Sequence, residues 1–334
     1  MRTPDLAQQA PQDRIVVALT LAILLAAGGT ALAQDKGTLN PKQLPPLAHP
    51  DDPKTPAKEL FGRRPTPAPI SAVPHGGAPA LTSTPLESRT IGFYAKGCLA
   101  GGVALPINGK TWQVMRLSRN RNWGHANLVA FLERLSKKGA KQGWPGLLVG
   151  DMSQPRGGPM ITGHTSHQVG LDADIWLTPM PDRELTRAER EEMSATMAVA
   201  ADRKDVDLNV WTAAHHGIIK AAAEDPLVER IFVNAAIKKA LCRAPGTDHA
   251  WLHKVRPYWG HDYHFHVRIK CPADSPECKP QDPVPAGEGC GKDLDGWFTD
   301  AVLHPKPPTT PSKPRPPLTM ADLPPICRAV LQAP

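Results

Sequence analysis

The chain has 334 residues, 38 of them proline, with 39 Lys and Arg set against 32 Asp and Glu. That length carries one large domain or two small ones. The formal charge of +7 is scattered rather than clustered, so it leaves no footprint for nucleic acid, though it is compatible with an acidic substrate.

At the N-terminus, Arg14 precedes an apolar run from Ile15 to Ala27, and Ala31-Leu32-Ala33 precedes Gln34. A charged start, a short apolar run and small residues at −3 and −1 describe a secretory signal peptide over 1–33, cleaved after Ala33. The expected destination is the periplasm. An uncleaved anchor is the alternative, but a spanning helix needs roughly 20 apolar residues and this run is shorter. No later segment is apolar enough to cross a bilayer, so the mature form is expected to have no integral membrane segment.

From 34 to 90 the chain is Pro-rich, with few large apolar residues and no periodicity, and reads as a disordered linker. Apolar runs alternate with turn residues over 91–300, the expected folded domain. The remainder, 301–334, reads as a Pro-rich tail that returns to the domain through Cys327. Within the domain, Leu128, Phe131, Leu132 and Leu135 predict a helix over Asn127–Lys138. Leu147–Val149 reads as a short strand. Over Leu171–Leu177, Asp172, Asp174 and Trp176 alternate with Leu171, Ala173 and Ile175, a strand pattern. Thr186 and Glu189 form a capping box that opens a helix expected to run to Ala201. Asp225-Pro226 opens another, expected to reach Leu241. His264–Ile269 alternates again. The mixture predicts an α+β domain with a small, mainly antiparallel sheet and flanking helices.

Six cysteines, Cys98, Cys242, Cys271, Cys278, Cys290 and Cys327, argue for three disulfides in an exported chain. Cys271 and Cys278 flank a Pro-containing turn and are expected to pair locally. A bond between Cys98 and Cys327 would tie the tail back onto the domain. The connectivity is otherwise open. A zinc–cysteine site is the competing use, but the chain has no C-x-x-C.

The chemistry is concentrated in two segments, GHTSHQVGLDADIW (163–176) and GHDYHFHVR (260–268). His167 and Asp174 are separated by a loop containing Gly170, which lets the histidine fold back against the strand carrying the aspartate. His264 and His266 share one face of a strand. Three His or Asp ligands with a fourth position open describe a catalytic zinc site, and a neighbouring histidine can carry protons. The competing interpretation makes these histidines satisfied polar residues near the surface. The helical motif His-Glu-x-x-His is absent.

These segments resemble the metallopeptidase group that includes lysostaphin-type enzymes, D-Ala-D-Ala peptidases and the hedgehog domain. More closely, the chain resembles the penicillin-insensitive murein endopeptidases. The matching stretches are GCLAGGVALPINGKTWQVMR (97–116), LLVGDMSQPRGGPMITGHTSHQVGLDADIW (147–176), RIFVNAAIKKALC (230–242), KVRPYWGHDYHFHVRIKCPADSPEC (254–278) and GCGKDLDGWF (289–298). The resemblance implies a hedgehog- or D-Ala-D-Ala-peptidase-like fold and a zinc site held by His167, Asp174 and His266. It implies that His264 acts as general base or transition-state stabiliser, and that His261 is a further active-site histidine. His164 would be an additional metal contact or a neighbour of one, and Asp202 a position associated with metal. Where the family can have a histidine three residues after that aspartate, this chain has Asp205, which puts an accessory metal site in doubt. The implied disulfides are Cys98–Cys327, Cys242–Cys290 and Cys271–Cys278. The implied reaction is hydrolysis of D-alanyl–meso-diaminopimelyl cross-links in peptidoglycan, insensitive to penicillin.

Several residues carry smaller expectations. Asp172 shares a face with Asp174 and is a candidate for orienting a ligand histidine. Arg156, before Gly157-Gly158, is a candidate for a substrate carboxylate. His215 and His216 read as structural. The rival functions are a D,D- or L,D-carboxypeptidase on the same metal site, a non-catalytic zinc- or wall-binding module, and a Pro-rich wall protein that leaves the histidines unexplained.

Overall fold

The computed structural model describes residues 54–62, 82–244, 246, 248–306 and 315–333. The expected signal peptide, most of the 34–90 linker and residues 307–314 of the tail lie outside them. Among the described residues no helix is long and apolar enough to cross a membrane.

The strands are β1 (Arg89–Phe93), β2 (Lys96–Ala100), β3 (Val103–Ala104), β4 (Asn108–Gly109), β5 (Trp112–Val114), β6 (Trp123–Gly124), β7 (Leu147–Val149), β8 (Asp172–Pro179), β9 (Val228–Val233), β10 (Val255–Pro257) and β11 (His264–Ile269). The α-helices are α1 (Ala57–Phe61), α2 (Ala126–Lys141), α3 (Arg187–Glu192), α4 (Ala213–Ala223), α5 (Ala235–Cys242), α6 (Lys292–Asp295), α7 (Asp300–Leu303) and α8 (Ile326–Gln332). The domain is α+β. Its main sheet runs β10-β9-β11-β8-β7-β5-β4. Only β10/β9 and β5/β7 pair in parallel; the other four neighbouring pairs are antiparallel.

Strands β8 and β11 sit at the centre, with His266 opposite Asp174, Arg268 opposite Asp172 and His264 opposite Trp176. Directly opposed residues of an antiparallel pair share a face, so one face of this ribbon is polar. The other face, Ala173, Ile175 and Leu177 with Phe265, Val267 and Ile269, is buried in one cluster. Leu128, Phe131, Leu132 and Leu135 of α2 and Ile218, Ile219 and Ala222 of α4 close over it. Each large side chain buried there stabilises the fold by roughly 1.5–3 kcal/mol. The polar face is therefore backed by an apolar core one residue-thickness behind it.

Two of the expected helices differ from the structure. Thr186 and Glu189 do form the capping box, but α3 ends at Glu192 rather than Ala201. From Met193 the chain is extended, and Ala198 N–H donates to Asp262 O, binding the segment to the loop before β11. The segment expected as one helix over 225–241 is instead strand β9 followed by α5. Val228, Ile231 and Val233 are β-branched, and the available place between β10 and β11 outweighs the cap at Asp225. Asn234 then caps α5 by accepting from Ala236 N–H at 2.9 Å.

Part of the expected linker is folded. Ala57, Leu60 and Phe61 of α1 are buried with Ile91, Cys98 and Ala100 and with Met320, Leu323, Cys327 and Val330 of the tail. Ala57 N–H donates to Leu318 O, so the two Pro-rich flanks meet. Leu60 and Phe61 supply the apolar area that the surrounding prolines lack. Disulfides join Cys98 to Cys327, Cys242 to Cys290 and Cys271 to Cys278, the pairs that the resemblance implies.

Candidate metal centre

Five histidines and two aspartates meet on the polar face of β8 and β11. Asp174 is their focus. Its Oδ1 lies 3.5 Å from His167 Nε2, 3.4 Å from His266 Nδ1 and 3.6 Å from His264 Nε2, while Oδ2 lies 3.3 Å from His164 Nδ1. Strand pairing delivers His264 and His266. The loop before β8 delivers His164 and His167, and it returns sharply because Gly170 adopts φ +73°, where a Cβ would meet His125 N at 2.8 Å.

The outer nitrogens of two rings are taken by the protein. His167 Nδ1 lies 3.0 Å from Met152 O, a pure acceptor, so Nδ1 carries the proton and Nε2 presents a lone pair. His266 Nε2 donates to Asp172 Oδ1 at 3.0 Å, leaving the Nδ1 lone pair inward. Both inward nitrogens therefore face Asp174 Oδ1, another acceptor, across less than 4 Å. His167 Nε2 and Asp174 Oδ1 are buried without a hydrogen-bond partner. Lone pairs so arranged repel one another unless a cation lies between them. The donor set, imidazole nitrogens and a carboxylate, suits zinc. His164, His167 and Asp174 also offer atoms all within 4.8 Å of one another, so His164 is a candidate for the same ion.

Burial and neighbouring charges set the protonation of these groups. Burial pushes His266 down to about 4 and His264 down to about 3, so both are neutral at ordinary pH. Burial opposes ionisation of Asp174, but His264 and His167 beside it hold the carboxyl well below the usual range. His164 runs the other way. Burial lowers its pKa, but hydrogen bonding to Asp151 and the charge of Asp174 raise it overall.

Asp172 acts from behind. Its Oδ1 accepts from His266, its Oδ2 accepts from His167 N–H at 3.1 Å, and Arg268 donates to both oxygens. Burial resists its charge, but Arg268 and then His266 hold it ionised. Arg268 lies 4.0 Å over the Tyr94 ring. Asp151 does the same for His164, taking Nε2 at 2.8 Å together with Arg119 and Arg121. Neither Asp151 nor Arg268 stood out in the sequence, since one is on an irregular loop and the other reads as an ordinary strand residue.

His261 is at the rim. Its Nδ1 donates to Trp259 O at 2.8 Å and its ring lies 4.8 Å from that of His264. Burial lowers its pKa. His164, His167 and His261 all adopt positive φ, at 47°, 71° and 58°, backbone strain of the kind that persists at functional sites.

Two expected site residues are elsewhere. Asp202 is on an exposed turn, where Oδ1 accepts from Lys204 N–H at 3.0 Å, and it is not in the His164, His167 and Asp174 group found among the described residues. Asp205 is committed to ion pairs with Arg243 and Lys239. Arg156 is not available to a substrate carboxylate: its Nη1 donates to Val330 O, Leu331 O and Ala333 O. Those carbonyls are left over at the end of α8, so Arg156 fastens the tail. His215 is structural, with Nδ1 at Thr212 and Nε2 at Leu177 O.

Residues 90–332 match the family model described as penicillin-insensitive murein endopeptidase. Curated proteins bearing that name are similar over most of their length. One from Haemophilus influenzae is 48% identical over 252 residues, covering 74% of this chain and 84% of the relative. One from Yersinia enterocolitica is 43% identical over 263 residues, covering 76% and 92%. One from Escherichia coli K12 is 45% identical over 248 residues, covering 74% and 87%.

Proposed function

The chain belongs to the penicillin-insensitive murein endopeptidase family, and from that premise we propose that it is a zinc-dependent, periplasmic hydrolase of the D-alanyl–meso-diaminopimelyl cross-links of peptidoglycan. The enzyme class follows from the family.

His167 through Nε2, His266 through Nδ1 and Asp174 would hold the ion, with His164 as a fourth contact. When bound, zinc supplies Lewis acidity towards the scissile carbonyl and acidifies a water to a pKa of about 7. His264 is neutral and adjacent, able to take the proton of attacking water and return it to the leaving amine. His261, fixed by Trp259 O, presents Nε2 as a second proton-transfer or oxyanion-stabilising group. Asp172 and Asp151 hold ring orientation. No step needs a serine, so β-lactams, which acylate serine, have no target in this chemistry.

The observation that carries the reading is the inward pair of imidazole lone pairs against Asp174 Oδ1, each outer nitrogen being satisfied by the protein. The test is to incubate purified protein with cross-linked muropeptide dimers, with zinc and with a chelator. Separated stems in the zinc sample and intact dimers in the chelated one are expected. Intact dimers in both would refute the endopeptidase reading, and release of a single terminal amino acid would assign a carboxypeptidase instead.

A further inference from the structure

A recess opens on the far side of the loop that carries His261. Arg203, Asn234, Tyr258, Trp259, Trp297 and Leu303 line it. Tyr258 and Trp259 are 53% and 52% exposed, unusual for aromatic rings that serve only packing. The Trp259 and Trp297 rings lie 5.5 Å apart at 57°, in contact with each other, so together they form one aromatic wall of the recess.

Arg203 brings a charge to this apolar cleft. Among the described residues no carboxylate lies within ion-pair distance of it. Its acidic neighbours are engaged elsewhere, Asp202 with Lys204 N–H and Asp205 with Arg243 and Lys239. The first turn of α5, at Asn234 and Ala235, faces the same space and adds the positive end of a helix.

The recess shares the loop 258–261 with the histidine cluster. Trp259 O accepts from His261 Nδ1, and the Tyr258 ring packs 5.6 Å from the His261 ring. Asn234 ties the loop down through Gly260 O and Asp262 Oδ1. The Cys242–Cys290 disulfide joins the end of α5 to the segment that carries Trp297, so both walls are covalently linked.

We propose that this recess is the subsite for an acidic residue of the stem peptide, with Arg203 binding a free carboxylate and the aliphatic body of that residue packing against the wall made by Trp259 and Trp297. The inference rests on the peptidoglycan-peptidase reading above. The amino sugars of peptidoglycan bear no free carboxylate, because the lactyl group is amide-linked to the stem. The stem peptides do bear them. An unneutralised guanidinium beside an angled indole pair therefore selects peptide over glycan.

The test compares kcat/KM of zinc-loaded enzyme on cross-linked muropeptide dimers with free stem carboxylates and on the same dimers with those carboxylates amidated. The wild type is expected to prefer the free form roughly tenfold or more, mainly through KM. Arg203→Gln should abolish the preference by losing rate on the free form alone. Trp259→Ala should lower both forms alike. Arg203→Lys, which keeps the charge and loses the fork, should retain a reduced preference and serves if the Gln variant does not fold. Equal rates on both forms for the wild type, or an undiminished preference in Arg203→Gln, would overturn the subsite and leave the peptidase reading standing. A wild type that cleaves neither form overturns both.

Discussion

Asp172 Oδ1 accepts the Nε2 proton of His266 at 3.0 Å across the β8–β11 pair, and that single bond decides which nitrogen of the ring faces Asp174. The same carboxylate accepts from the backbone N–H of His167. One buried anion thus orients two of the proposed ligands.

Asp172→Asn should expose this role. The amide keeps the shape but must point an NH2 at one of its present donors, the His167 N–H, the His266 ring or Arg268. Zinc affinity is expected to fall roughly 10- to 100-fold, measured by competition with a chromophoric chelator. An unchanged affinity would remove Asp172 from the design of the centre.

His264→Ala tests catalysis separately from metal binding. Its Nε2 is 3.6 Å from Asp174 Oδ1, and it is not in the proposed ligand set. Bound zinc should stay stoichiometric by elemental analysis, while kcat drops by about 10²- to 10⁴-fold. Cells that rely on a wall-binding module should not notice the change. Full complementation by the variant would favour the non-catalytic rival.

Lys238 makes stability pH-dependent far from the histidines. It is fully buried, and its Nζ donates to Leu252 O at 2.8 Å and Glu288 O at 2.5 Å. Burial, then Arg256, lowers its pKa from 10.5 to about 7. Between those values the unfolded chain binds the proton more tightly than the folded one, so stability rises with pH across that window. A gain on the order of 2 kcal/mol from pH 7 to pH 9 is expected in guanidinium unfolding. Lys238→Met should flatten the slope. A wild type that is equally stable at both pH values contradicts the burial argument.

The Cys98–Cys327 bond, spanning a sequence separation of 229 residues, should matter for stability and not for chemistry. Replacing both cysteines with serine frees the tail that Arg156 also fastens. The chain-entropy model puts the loss at about 5 kcal/mol, visible as a lower melting temperature. Activity below that temperature should persist, because neither sulfur touches the histidine cluster. Loss of activity with an unchanged melting temperature would reverse this assignment.

Much of the site was legible because strand alternation is local. The pattern from Leu171 to Leu177 places Asp172 and Asp174 on one face, and His264 and His266 follow the same rule on β11. The pairing of the two strands was not legible, since His266 and Asp172 are 94 residues apart and no periodicity encodes a partner. The same limit explains β9. The segment offers both a helix cap at Asp225 and, from Val228, a β-branched run, and only a vacant position beside β11 decides between them. Asp151 was invisible because an aspartate on an irregular loop looks like any turn residue.

The sequence by itself determined the residue types and the faces they occupy: two imidazoles and a carboxylate on alternating strands or beside a glycine-hinged loop. The tertiary structure alone decided which nitrogen of each imidazole is spent and which is left inward. That choice belongs to the hydrogen-bond acceptor behind each ring, Met152 O for His167 and Asp172 for His266. Acceptors of this kind reach the rings only when distant segments fold onto one another. An imidazole's tautomer is set by its neighbours in space, and its chemistry towards a metal follows from the tautomer.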